Sequence, residues 1–320
     1  MRRRAFQGLR RYQEAARPAP PPAASVYAAH GSARLLRHGA DGDAAPVVFI
    51  PSLINPPQVL DIAEGRSLLR GMSAAGHDAY LVDWGTPHLD APALDLAGHI
   101  TGRLMPLLAG LPAPPILVGY CLGGTLALGA AHCMDVRAVA TIAAPWNFDG
   151  FPNADREQIA ALWAQSRAVC GQIGFVPMEV LQSGFWALDP ARTVRKYAAF
   201  ADMPPGSDKE RAFLTVEDWA NGGPPLTYPA GAQLFDHFYA ADITGNGLWV
   251  IDGQAVDPAA LPCPTFSISS STDRIVPACA GPPLAEQLTL DMGHVGMILG
   301  GSAPELLWKP LSAWLSRHGG

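Results

Sequence analysis

Charge is scarce in this 320-residue chain. Asp, Glu, Lys and Arg make up 16% of it, while 49% of the residues are hydrophobic. Such a composition excludes disorder over most of the length and suits one large α/β domain with an insertion, or two modest domains. Long apolar runs are also missing. None approaches the ~18 residues of a spanning helix, so no transmembrane segment is expected. Arg2, Arg3 and Arg4 are not followed by an apolar stretch, so no secretory signal is read there. The five cysteines, at 121, 133, 170, 263 and 279, are odd in number and lack Cys-x-x-Cys pairing. Neither a disulfide framework nor a metal site is expected, and a reduced, cytoplasmic protein is. The net charge of −6 argues against nucleic acid as a ligand. Positive charge is concentrated in residues 1–23, where six arginines stand against one glutamate. This stretch reads as a solvated basic tail, detached from the core by the linker Pro18 to Pro22.

What the chain does contain is an alternation of strands and helices. Ser25 to Ala29 and Arg34 to Arg37 read as short strands joined at His30-Gly31. Val47 to Ile50 is an all-apolar run suited to a strand buried on both faces. Helical patterning over Gly65 to Ala75, with Gly76 as C-cap, precedes a strand at Ala79 to Val82. A second helical pattern spans Ala93 to Leu108, then come strands at Pro115 to Val118 and Val136 to Ile142. Units of this kind build a mostly parallel central sheet with helices on both faces. From Trp146 to Gly247 the rhythm breaks into aromatic, Pro- and Gly-rich sequence with helical pieces at Asp155 to Val169, Pro177 to Leu188 and Gly231 to Tyr239. Leu248 to Ile251 reads equally as a cap hairpin or a core strand. Thr265 to Ile268 and Gln287 to Leu290 are better core strands, and Leu306 to His318 is an amphipathic helix. The expected organisation is therefore a tail (1–23), a core (24–145 and 248–320) and a cap insertion (146–247).

One segment carries chemistry on its face. Val118-Gly119-Tyr120-Cys121-Leu122-Gly123-Gly124-Thr125 joins a buried strand to an Ala-rich helix. It is the Gly-x-nucleophile-x-Gly elbow of α/β-hydrolases with Cys in place of Ser. The helix that starts there lends its N-terminal field to a thiolate and the Leu122 N–H to an oxyanion. A thiol needs a base, and in this fold the acid and then the histidine follow the nucleophile on later strand ends. Of nine histidines, five precede the elbow, and His132, His237 and His318 lie in helices. His294, after the last strand, remains. Asp273 follows the preceding strand and is favoured as the acid over Asp291, which is only three residues before His294. The second oxyanion donor is expected from Ser52 or Leu53, because Pro51 has no N–H.

Together these segments resemble the polyhydroxyalkanoate synthases. Pro51-Ser52-Leu53-Ile54-Asn55, Gly76-His77 before Asp83-Trp84-Gly85, the Cys121 box, Thr272-Asp273-Arg274-Ile275-Val276-Pro277 and Gly293-His294-Val295 carry the likeness, over about residues 45 to 300. The chain departs from the family with Arg274 where His is usual, Gly296-Met297 in place of Ala-Gly, and Gly222 to Pro225 in place of Thr-Arg-Met-Pro. The resemblance implies a cytoplasmic acyltransferase at the surface of a polyester granule. Its substrate is an (R)-3-hydroxyacyl-CoA thioester, no cofactor is used, and Cys121 bears the growing polyester, with His294 as base and Asp273 orienting it. It also implies a second synthase subunit or a homodimer. The rival readings are a thioesterase, esterase or polyester depolymerase with the same triad, and a non-catalytic granule-associated subunit. No basic cluster marks a site for the CoA phosphates; Arg274 and Lys309 are the candidates.

Overall fold

The computed structural model describes residues 1–39, 44–63, 65–88 and 93–319. Its centre is an eight-stranded sheet of β1 (Ser25–His30), β2 (Ala33–Arg37), β3 (Val47–Ile50), β4 (Ala79–Asp83), β5 (Ile116–Tyr120), β6 (Ala138–Ile142), β7 (Thr265–Ser270) and β8 (Glu286–Leu290). They lie in the order β1-β2-β4-β3-β5-β6-β7-β8. β1–β2 and β2–β4 pair antiparallel, and every other neighbouring pair is parallel.

The period-2 alternation of the strands sorts their side chains onto two faces. Val48, Ile50, Tyr80, Val82 and Leu117 join a core layer with the elbow helix and the helical run from Leu96 to Leu108. Val47, Phe49, Ala79, Leu81, Ile116 and Val118 join the opposite layer, closed by Leu68, Leu69, Leu311, Trp314 and Leu315. Both faces are therefore covered, as all-apolar parallel strands require.

The helices used below are α1 (Arg2–Glu14), α2 (Leu68–Ala74), α3 (Leu122–Cys133), α4 (Asn153–Ile173), α5 (Met178–Leu188), α6 (Pro190–Phe200), α7 (Asp208–Asn221) and α8 (Lys309–Gly319). The insertion follows β6, where the sequence breaks its rhythm, and consists chiefly of α4 to α7. Neither α6 nor α7 is anticipated by the sequence pattern, although each carries a start signal. Asp189 N-caps α6 with Pro190 at its first position, and Ser207 N-caps α7 by accepting from Glu210 N–H. The ambiguous run at Leu248 resolves as a hairpin, with Val250–Ile251 pairing Gln254–Ala255 outside the main sheet.

The N-terminal reading needs correction. Residues 2–14 are not a detached tail but the helix α1, docked on α6 and α7. The docking surface is supplied by carboxylates and aromatic rings about 200 residues further along, which no local pattern reveals. No helix among the described residues is long and apolar enough to cross a membrane.

Candidate active site

Cys121 stands between the end of β5 and the start of α3 with φ 54° and ψ −134°. An L residue in such a region costs about 1–3 kcal/mol, and the surroundings must impose it. Cys121 N–H donates to the Ile142 carbonyl of β6 at 2.9 Å, and its own carbonyl accepts from Gly124 N–H at 2.8 Å. The flanking glycines are a packing necessity. A Cβ at Gly119 would lie 2.3 Å from Gly124 Cα, and one at Gly123 would lie 2.1 Å from the Ile50 carbonyl oxygen. Without them α3 could not start so close to β5 and β3.

The structure brings His294 and Asp273 together on the loops after β8 and β7. His294 Nδ1 meets Asp273 Oδ2 at 2.7 Å, and both side chains are buried. The second carboxylate oxygen of Asp273 accepts the N–H groups of Ile275 and Val276 at 2.8 and 3.1 Å, which fixes the carboxylate plane. Ser270 on β7 clips the His294 loop in place, donating to the Met292 carbonyl and accepting its N–H. Asp291 is exposed to solvent and has no part in this arrangement. Cys121 lies beside the imidazole on the same cavity and interacts with it. Burial alone would lower the His294 pKa. The charge at Cys121, the hydrogen bonds to Asp273 and Cys121 and the charge of Asp273 outweigh it and push the value up to about 10.

Tyr120 is a site residue that the sequence did not single out, although it is the variable position of the elbow itself. Its ring lies 5.1 Å from the imidazole and its hydroxyl donates to the His294 carbonyl at 3.2 Å. Burial, followed by the charges of Cys121 and Asp273, raises its hydroxyl well above the ordinary value, so it remains a neutral donor.

Cys121 and His294 form the floor of a cavity of about 550 Å3 whose far wall is the cap. Ile54, Trp219, Phe213, Val216 and Ile275 supply apolar surface, and Cys121 has an intermediate exposure. Ser52 lines the cavity and Leu53 does not; the Leu53 side chain is packed in the core. Ser52 Oγ accepts the Ile54 N–H at 3.1 Å, leaving its own proton to donate. The Leu122 N–H begins α3, where the first turn has no intrahelical acceptor.

Among the described residues, Arg66, Arg192, Lys196 and Arg274 reach the cavity, contrary to the expectation of no basic cluster. They come from three separate stretches of chain and converge only in the fold. Arg274 pairs with Asp189 of the cap at 3.1 Å and Lys196 with Glu217 at 2.6 Å. Arg66 and Arg192 have no carboxylate partner among the described residues. Lys309 pairs with Glu305 at the protein surface and does not line the cavity. No group of side chains suited to a metal ion occurs among the described residues.

No protein-family model matches the chain. Among solved structures, epoxide hydrolase A from Mycobacterium thermoresistibile superposes with a TM-score of 0.52 at 17% identity, covering 92% of this chain and 98% of that one. The monoacylglycerol lipase from Paleococcus ferrophilus gives 0.51 at 12% identity, covering 89% and 98%. These likenesses show the α/β-hydrolase fold. Sequence relatives are more specific. The poly(3-hydroxyalkanoate) polymerase subunit PhaC of Allochromatium vinosum is 30% identical over 292 residues, which is 85% of this chain and 81% of the relative. The PhaC proteins of Thiocystis violacea and Haloarcula marismortui are each 27% identical over 85% of this chain, covering 81% and 61% of their own lengths. With a cysteine elbow on this fold and that extent of likeness, the chain belongs to the PhaC family of poly(3-hydroxyalkanoate) polymerase subunits.

Proposed function

We propose that the protein transfers (R)-3-hydroxyacyl groups from CoA thioesters through Cys121 onto a growing polyester. The observation that carries this reading is the elbow cysteine, coupled to His294 and Asp273, at the floor of a largely apolar cavity under the cap. A thioester substrate and a Cys-linked acyl group differ little in free energy, so loading is reversible and the bound acyl group stays a good donor. A serine ester would be a poorer one.

The steps balance without a cofactor; CoA enters as part of the substrate. The Cys121 thiolate attacks the thioester carbonyl, with the oxyanion held by the Leu122 N–H and by Ser52. The bond from the carbonyl carbon to the CoA sulfur breaks, and the leaving thiolate takes the proton of His294. The hydroxyl of a second hydroxyacyl-CoA then attacks the Cys121-bound acyl group and gives its proton to neutral His294. The Cys121 thiolate departs and pairs again with the imidazolium. Asp273 keeps the imidazole oriented throughout, without accepting a proton itself. Water would end the cycle as free acid, which gives the apolar lining of the cavity its purpose. Arg66 and Arg192 are placed to meet the CoA phosphates. The relatives are named as polymerase subunits, which supports a partner subunit or second copy for this chain.

Product analysis tests the reading. Purified protein given (R)-3-hydroxybutyryl-CoA and longer 3-hydroxyacyl-CoAs should release CoA and form insoluble polyester, and Cys121→Ala should abolish both. CoA release with only free hydroxy acid would make the protein a thioesterase and end the polymerase reading.

A further inference from the structure

The transfer chemistry makes no use of α1, yet this helix is bound tightly to the roof of the cavity. Gly8 is the point of contact: a Cβ there would stand 1.8 Å from the Tyr197 carbonyl oxygen, so the backbones of α1 and α6 touch. Arg11 closes the C-terminal end of α6 by donating to the carbonyls of Phe200, Ala201 and Met203 at 3.3, 3.4 and 2.5 Å. The same guanidinium pairs with Glu210 of α7 at 2.5 Å. Tyr12 packs edge-on against Tyr197 of α6 and Phe213 of α7, with ring centroids 5.8 and 6.4 Å away. Its hydroxyl donates to Asp218 and accepts from Asn221. Arg17, just beyond the helix, holds both oxygens of Asp218 at 2.8 and 3.1 Å.

The other side of these two cap helices is the cavity wall, where Lys196, Phe213, Glu217 and Asn221 face the substrate space. Glu217 ties α6 to α7 by accepting from Lys196 and Tyr197 at 2.6 and 2.7 Å. The end of α7 is in turn joined to the loop carrying Ser52. Trp219 Nε1 donates to the Pro56 carbonyl at 2.8 Å, and Asn55 Nδ2 reaches the Trp219, Ala220 and Gly222 carbonyls at 3.4 Å each.

We propose that α1 is a strap on the cap, with Gly8 and Tyr12 as positioning residues that hold α6 and α7 together and so keep water from Cys121. Its effect on the fate of the acyl group rests on the acyl-transfer reading; its effect on access to Cys121 does not.

The test compares Gly8→Leu and Tyr12→Ala in the full chain, with Arg10→Ser on the exposed face of α1 as control. Iodoacetamide alkylation is followed at the Cys121 peptide by mass spectrometry. Loss of the strap should speed alkylation about tenfold in both variants, leaving the control at the wild-type rate, because local opening governs access. With a hydroxyacyl-CoA, the share of released CoA that appears as free hydroxy acid should rise several-fold. Buried Cys170 serves as a sentinel for unfolding. If Gly8→Leu exposes Cys170 as well, Tyr12→Phe, which removes one hydroxyl and keeps the ring, decides by the same rates. Alkylation of Cys121 within about twofold of wild type in folded variants would overturn the proposal. Faster alkylation in a protein whose Cys121 never takes up an acyl group from a hydroxyacyl-CoA would keep the strap and end the acyl-transfer reading.

Discussion

Replacing Asp273 by Asn exchanges one carboxylate oxygen for an amide nitrogen and should nearly silence the enzyme. Two backbone donors, Ile275 and Val276 N–H, face one carboxylate oxygen at 2.8 and 3.1 Å. In the Asp273→Asn variant the amide oxygen must stay with those donors, because turning the NH2 onto them would set N–H against N–H. The NH2 then points at His294 Nδ1, 2.7 Å from the carboxylate in the wild type, and donates to it. That forces the imidazole proton onto Nε2, the nitrogen left for Cys121, so the ring can no longer accept a proton there. The imidazolium also loses a buried counter-charge, so its pKa falls from the raised value. A wrong tautomer together with a missing counter-charge is worth about 10³- to 10⁴-fold in rate, or about 4–5.5 kcal/mol at 1.36 kcal/mol per decade. The assay is CoA release from a hydroxyacyl-CoA, followed chromatographically so that no thiol reagent touches Cys121. Asp291→Asn, at an exposed position, is the matched control and should be silent. A loss of less than about tenfold in folded Asp273→Asn would refute the assignment of Asp273.

Three further outcomes follow from the geometry. Arg66→Ala combined with Arg192→Ala should raise KM for CoA thioesters about tenfold with kcat nearly unchanged, and leave KM for a short thioester lacking phosphates unaltered; equal effects on both substrates would exclude phosphate contacts. Gly123→Ala places a methyl 2.1 Å from the Ile50 carbonyl oxygen and should destabilise by about 3 kcal/mol or more, measured by chemical denaturation. His294 has its folded pKa raised from 6.5 to about 10, so the stability it contributes is complete below pH 6.5 and fades as pH rises through about 10. Wild type should lose stability relative to His294→Gln across that interval, and parallel stability curves for the two proteins would contradict the coupling.

The elbow is legible because its residues are contiguous: an apolar strand, Gly-x-Cys-x-Gly-Gly and an Ala-rich helix follow one another with nothing between. Asp273 and His294 can be chosen by chain order, since each strand end of a parallel sheet delivers its loop to the same edge. The sheet itself is readable wherever strands are all-apolar, as at Val47 to Ile50. Leu248 to Ile251 is ambiguous because four apolar residues satisfy both a hairpin and a core strand. Other features depend on long-range encounters and leave no local trace. Arg66 and Arg192 converge on one cavity from distant stretches of chain, and Arg11 finds Glu210 across 199 positions of sequence. The arginine-rich start resembles a tail for the same reason: Arg4, Arg11 and Arg17 find their carboxylate partners Asp202, Glu210 and Asp218 far along the chain.

The central claim is that Cys121 carries the acyl group. The most direct measurement is to mix the protein briefly with (R)-3-hydroxybutyryl-CoA, quench in acid, digest and find the modified peptide by mass spectrometry. A hydroxyacyl adduct is predicted on the Cys121 peptide, removed by hydroxylamine as a thioester should be, and absent in Cys121→Ala. CoA release with Cys121 unmodified throughout the time course, or an adduct on another residue, would contradict it.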